Sequence, residues 1–203
     1  MLNFNFQSTP QTVINIDRCF DTPDLFSKGN MGPDKLHIKN YIEDGFQHVA
    51  DVKQKEYGHY SNWELSNINE ELLFSEHNSW VYVIVEDEQV VKLGETGQPL
   101  GVKGTRTYML QGTQSRFGRL ISHGDALANA RDTDSRIRFH LWESAMQGKV
   151  SLYAFKCPSE TITTNVFGVQ HTFVAHTHKT VEKAYLTSLS ASGCLPKLNK
   201  ARI

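Results

Sequence analysis

The stretch Trp80-Val-Tyr-Val-Ile-Val-Glu-Asp-Glu-Gln-Val-Val-Lys-Leu-Gly-Glu-Thr96 decides the reading of this chain. Trp80–Val85 carries no charge, Glu86, Asp87 and Glu88 form an acidic turn, and a second apolar run ends on Gly94. An apolar run, an acidic turn, a second apolar run and a glycine read as a β-hairpin. Tyr82 on the first strand and Lys92 on the second are expected to face one another across it.

Downstream, residues 95–112 form a glycine-rich loop with Gly97, Gly101, Gly104 and Gly112. Residues 113–130 and 134–147 read as helices. Val150–Phe155 alternates as a strand, with Val150, Leu152 and Ala154 on one face and Tyr153 and Phe155 on the other. Thr177 or Thr180 caps a last helix that ends near Gly193. The order β-β-α-α-β-α predicts an α+β fold, a small mixed β-sheet flanked by helices.

Upstream, residues 1–78 read as a separate α/β extension. Leu2, Phe4 and Phe6, then Val13, Ile14 and Ile16, suggest short strands, and Pro23, Gly29, Gly32 and Pro33 a turn-rich stretch. From Asp34 the pattern turns helical: Ile38, Tyr41, Ile42, Phe46, Val49 and Val52 recur at helical spacing, weakened at Gly45. Residues 62–75 suggest another short helix.

The longest apolar stretch, Trp80–Val85, is far too short for a membrane span. The first residues lack a basic n-region and a long apolar core, which argues against a secretory signal. Cys19, Cys157 and Cys194 are odd in number and widely spaced, so reduced thiols and a cytoplasmic, intracellular setting are expected. The net charge of −1 argues against a nonspecific nucleic-acid coat protein. Positive charge is nevertheless concentrated locally. Lys103, Arg106, Arg116, Arg119, Arg131, Arg136 and Arg138 lie close in sequence, as a phosphate-gripping patch requires.

A few residues could carry chemistry. Tyr82 is either a packed strand tyrosine or a phenol that takes a proton from water. A free phenol, with a pKa of about 10, is a poor base at neutral pH, and a neighbouring cation such as Lys92 favours the phenolate. Arg119 and His123 share a helix face in Arg-x-x-x-His, where the guanidinium can fork two phosphate oxygens and the imidazole can move a proton. Arg116 lies one turn earlier as a second phosphate contact. Glu182 borders the apolar face formed by Tyr185, Leu186 and Leu189, where a carboxylate needs either a salt-bridge partner or a hard divalent cation. Asn199 follows Pro196-Lys-Leu, and alone it is silent.

In this order the pieces resemble the GIY-YIG nuclease superfamily over roughly the last 120 residues. Val81-Tyr82-Val83 stands where that family has Gly-Ile-Tyr, and Lys92-Leu93-Gly94 where it has Tyr-Ile-Gly. Arg119-Leu120-Ile-Ser-His123 looks like its arginine helix, Glu182 like its metal-binding glutamate and Pro196–Asn199 like its asparagine motif. The layout from Asp134 to Cys157 is similar to the T-even phage endonuclease II branch. The first motif has lost its glycine and isoleucine, the second has lysine for tyrosine, and the interval from Gly94 to Arg119 is long. Arg-Leu-x-x-His favours Arg119 over Arg116 as the catalytic arginine.

The resemblance implies that residues 79–203 are a nuclease domain and that residues 1–78 serve DNA recognition or oligomerisation. It implies a double-stranded DNA endonuclease using Mg2+ or Mn2+ held by Glu182. Tyr82, Lys92, Arg119, His123, Glu182 and Asn199 would form the catalytic set, with Lys103, Arg106, Arg116, Arg136 and Arg138 contacting DNA. One active site cuts one strand, so a homodimer or larger homo-oligomer is expected. Restriction, homing and phage DNA degradation all fit, and the absence of a DNA-binding module after Asn199 leans away from homing. Two other readings compete: a DNA-binding module of the same fold without catalysis, and a zinc protein built on Cys157, His171, His176, His178 and Cys194, with His176 and His178 sharing a strand face.

Overall fold

The computed structural model describes residues 34–54, 63–102, 116–117, 137, 140, 144 and 148–199. All of them belong to Pro33–Ile203, the larger of two compact units, the other being Met1–Gly32. The strands and turn expected before residue 34 therefore lie outside the described residues. So does most of the two helices expected at 113–130 and 134–147, although Arg116, Phe117, Ile137, His140 and Ser144 are helical.

The expected hairpin forms. Strand β3 (Trp80–Glu86) pairs antiparallel with β4 (Gln89–Thr96). The turn between them needs positive φ at both central residues, and Asp87 (φ 45°) and Glu88 (φ 69°) supply it. That geometry matches the right-handed twist of the flanking strands. Strand β5 (Val150–Lys156) pairs with β3 on its other side. Strands β1 (Gln47–Gln54) and β2 (Trp63–Ser66) complete a five-stranded sheet in the order β2-β1-β5-β3-β4. Every pairing in it is antiparallel, so the α+β class holds while the sheet is not the mixed one expected. The sheet also continues across the boundary drawn near residue 78.

The long helix read from Asp34 onwards is corrected. Helix α1 covers only Ile38–Glu43; Gly45 then takes φ +98° and the chain enters β1. A glycine in that conformation ends a helix at no steric cost. The misleading spacing has a physical source. The register of β1 against β5 shifts between His48 and Ala50. That bulge puts Val49 and Val52 in one cluster, although strict alternation would separate them. Residues 62–75 likewise give strand β2 and a single helical turn, α2 (Glu70–Leu73), capped by Asn69, whose side chain accepts from the Leu72 N–H.

Two apolar clusters lie on the two faces of the sheet. Trp80, Tyr82 and Ile84 join Leu152, Leu100 and Phe117 on one face. Val81, Val83 and Leu93 join Tyr41, Phe46 and Tyr185 on the other. Tyr185 and Leu189 come from helix α3 (His178–Ala191), which follows Thr177 and gives way to Gly193 at φ +68°, as the sequence predicts. The predicted alternation of β5 also holds: Val150, Leu152 and Ala154 enter the first cluster, Tyr153 and Phe155 the second.

One element was not anticipated. Strands β6 (Ser159–Val166) and β7 (Val169–His176) form a separate two-stranded ribbon between β5 and α3. His176 ends β7 and His178 opens α3, so the two do not share a strand face as expected, although their rings lie 5.9 Å apart.

Candidate active site

Tyr82 is the centre of the candidate site. Its residue is 1% exposed, and its direct partner across the hairpin is Gly94, not Lys92. The ring lies flat over that glycine: a Cβ at Gly94 would sit 2.5 Å from the phenol oxygen and 2.6 Å from the ring carbon bearing it. Gly94 is thus required by a close approach, the reason a glycine serves inside a strand. Lys92 pairs with Ile84, one step further along the same face. The register slips by one residue beyond this pair, and Val91 is the extra residue. Lys92 is 3% exposed, a buried cation beside the tyrosine.

Arg116 closes over the tyrosine. Its Nε donates to the phenol oxygen at 2.8 Å and a terminal nitrogen donates at 2.5 Å. Its guanidinium carbon stands 5.1 Å from the ring centroid. The local chain explains this placement. After β4 the chain turns, with Gln98 N–H donating to the Thr96 hydroxyl, and buries Leu100. The Arg116 and Phe117 N–H groups then donate to the Pro99 and Leu100 carbonyls at 2.9 Å each. Phe117 is buried edge-on against the Tyr82 ring at 5.7 Å, which aims its neighbour Arg116 at the oxygen.

Glu182 stands elsewhere. It is half-buried on α3, the helix that covers the opposite face of the sheet, and lines an open groove of about 580 Å³ together with Leu186, Leu195 and Asn199. Asn199 is committed to structure. Its amide oxygen accepts from Leu93 N–H at 2.9 Å, and its amide nitrogen donates to the Leu93 carbonyl at 2.8 Å. β4 is the outermost strand. Asn199 therefore satisfies backbone groups on the open edge of the strand that carries Lys92 and Gly94. A single hard carboxylate facing an open groove suits magnesium, which keeps most of its waters. Among the described residues, no three His, Cys, Asp or Glu side chains converge on a metal-sized point.

The zinc grouping is not assembled. His171 stacks on Phe173 in the exposed ribbon. Burial pushes the Cys157 thiol up to about 12, against the thiolate that a metal requires. His178 is held between the Ser79 hydroxyl (3.1 Å) and Glu95 (3.3 Å). Burial lowers its pKa, with Glu95 opposing.

Arg119, His123, Lys103, Arg106, Arg136 and Arg138 lie outside the described residues. Of the two arginines weighed, Arg116 is the one seen on Tyr82. The sequence marked Arg116 as a second phosphate contact and ranked it below Arg119; the signal for its place on Tyr82 was the pair of apolar residues, Leu100 and Phe117, whose burial fixes the chain on either side of it.

No family model matches the chain, and no curated protein matches it. Among solved structures, a mutant of bacteriophage T4 EndoII is similar with a TM-score of 0.50 at 14% identity, over 76% of this chain and 95% of that one. Restriction endonuclease HPY188I in complex with product DNA aligns at a TM-score of 0.44 and 18% identity, over 78% of this chain and 82% of that one. The first likeness shows a shared fold.

Proposed function

We propose that this chain is a metal-dependent DNA endonuclease of the GIY-YIG type. The observation that carries the reading is the Tyr82–Arg116 pair, seated on Gly94 beside buried Lys92. A buried phenol oxygen requires a hydrogen-bond partner, and a guanidinium fork is the partner that also favours the phenolate. Charge developing on the phenol oxygen is stabilised by the guanidinium. The fold shared with bacteriophage T4 EndoII agrees with the sequence resemblance to that branch.

In this reading Tyr82 takes the proton of the attacking water. Lys92 and Arg116 hold negative charge, on the tyrosine and on the phosphoryl oxygens. By the resemblance Glu182 would hold Mg2+ or Mn2+, an ion that would neutralise the leaving oxygen; this requires the scissile phosphate to lie at the β4 edge, between the Tyr82 phenol and the groove that Glu182 lines with Asn199. Asn199 positions β4 without touching substrate. The substrate is double-stranded DNA, and a cut through both strands calls for two copies of the chain. Residues 103–138 carry the arginines and lysine that would grip the backbone.

The test is cleavage of supercoiled plasmid by the full chain, with magnesium or with a chelator, beside Tyr82→Phe and Glu182→Ala. Metal-dependent products lost in both variants are expected, with DNA binding retained. Binding without cleavage in the wild-type chain would instead identify a catalytically silent DNA-binding module.

A further inference from the structure

His178 opens α3 and is buried against the hairpin that carries the candidate site. Its Nδ1 pairs with the Ser79 hydroxyl at 3.1 Å, and its Nε2 stands 3.3 Å from the Glu95 carboxylate. Ser79 is fully buried and immediately precedes β3. Glu95 follows Gly94 on β4 and lies opposite Val81. A carboxylate only accepts, so Nε2 carries the proton that faces it and Nδ1 accepts from Ser79. One neutral tautomer therefore suits both partners. Gly97, just past β4, leaves room for the ring: a Cβ there would stand 3.3 Å from Cε1 and 3.4 Å from Nε2.

We infer that His178 is a positioning residue for the proposed cleavage: through Glu95 and Ser79 it sets the place of Glu182 relative to the strands that carry Tyr82, Lys92 and Gly94. In the nuclease reading, on which this rests, Glu182 holds the ion and Tyr82 takes the proton. The two stand on opposite faces of the sheet, so their separation depends on how α3 is seated against β4. Glu182 lies one turn after His178 on the same helix face, a rise of about 6 Å. Beyond Glu182 the helix is held by packing, through Tyr185 and Leu189. Before it the start of the helix has no side-chain cap, and the Thr177 hydroxyl donates to the Pro158 carbonyl instead. His178 supplies the polar tie to the hairpin at that end. An error of about 1 Å in placing a reacting group can cost about 100-fold in rate. An ion held by one carboxylate and its own waters depends in the same way on where that carboxylate is put.

The test is a double-mutant cycle in the full chain: wild type, His178→Ala, Glu95→Ala and both together, beside His178→Gln. Two quantities are read, Mn2+ binding by electron paramagnetic resonance and the Mg2+ concentration that half-saturates plasmid cleavage. Each single variant is expected to weaken Mn2+ binding and raise the Mg2+ requirement by about 10-fold, with the rate at saturating Mg2+ changed far less. The double variant should be no worse than His178→Ala, because both changes remove one contact. His178→Gln, whose amide can still donate to Glu95, should recover most of the loss. Should His178→Ala fail to fold, Glu95→Ala and His178→Gln carry the same comparison, since the Glu95 side chain is 26% exposed. A lower urea midpoint with metal dependence unchanged would show a merely structural histidine and overturn the inference, as would additive losses in the double variant. A wild-type chain that neither cleaves nor binds Mn2+ would sink the nuclease reading and this role with it. A wild type that cleaves, with variants that match its metal dependence, would sink this role alone.

Discussion

Gly94 and Tyr82 make one unit, and each predicts the behaviour of the other. Gly94→Ala would drive a Cβ into the phenol, and neither backbone nor buried ring can yield without repacking. The variant should lose ~1–3 kcal/mol of stability, read by urea unfolding, together with cleavage. Arg116 gives a sharper test of the proposed chemistry. Arg116→Lys keeps the charge but loses the fork, so cleavage should fall by ~100-fold or more with DNA affinity little changed. If Arg119→Ala is the more damaging of the two in a plasmid assay, the role assigned to Arg116 passes to Arg119. Strict strand period from the two-residue turn would set Lys92 opposite Val83, on the face away from Tyr82; the bulge at Val91 moves it opposite Ile84 and so onto the face of Tyr82. That bulge was not legible in the sequence.

Elements are joined here by polar side chains as much as by the core. Asn199 pairs with Leu93 in the manner of one more strand residue, on an edge that would otherwise be open. Asn199→Ala leaves a buried N–H and a buried carbonyl unpaired. It should cost ~1–3 kcal/mol in denaturant titration and also slow cleavage, since β4 carries Lys92. The sequence placed Asn199 in the catalytic set by resemblance, whereas its geometry is that of a positioning residue. Helix α3 was read well because its apolar stripe and terminal glycine are local signals; the expected threonine cap does not form, since Thr177 gives its hydroxyl to the Pro158 carbonyl instead of accepting from the helix. Helix α1 was read too long because a bulge in β1 imitated helical spacing. The ribbon β6–β7 was missed although Phe167-Gly168, at φ 50° and 81°, is a two-residue hairpin turn.

Two largely buried carboxylates tie the whole molecule together and set its response to acid. Asp51 accepts from Ser151 (2.6 Å), Asn67 (2.6 Å) and His48 (2.9 Å), linking β1, β5 and the end of β2. Burial opposes its ionisation, but these hydrogen bonds outweigh burial and hold it at about 2. Glu86 at the hairpin turn is also held at about 2. Burial again opposes, and His140 and Lys197 prevail. Both carboxyls lie below their ordinary values, so their stabilisation is complete above about pH 4.5 and is lost as pH falls towards 2. The unfolding free energy should drop by about 2 kcal/mol per group over that window. Asp51→Asn should flatten the Asp51 share while lowering stability at pH 7, as urea titrations at several pH values would show.

What the sequence determined by itself was local: the hairpin from its apolar arms and acidic turn, strand β5 from its alternation, helix α3 from its apolar stripe and terminal glycine. These follow from backbone sterics and period, which act over a few residues. The tertiary structure decided which residues meet. Arg116 reaches Tyr82 because the chain around Leu100 and Phe117 is buried against the sheet. β1 and β2 extend the sheet that the hairpin begins, and Glu182 stands on a helix across the sheet from the tyrosine. Such pairings depend on burial and register between segments far apart in the chain, and neither is written in the spacing of nearby residues.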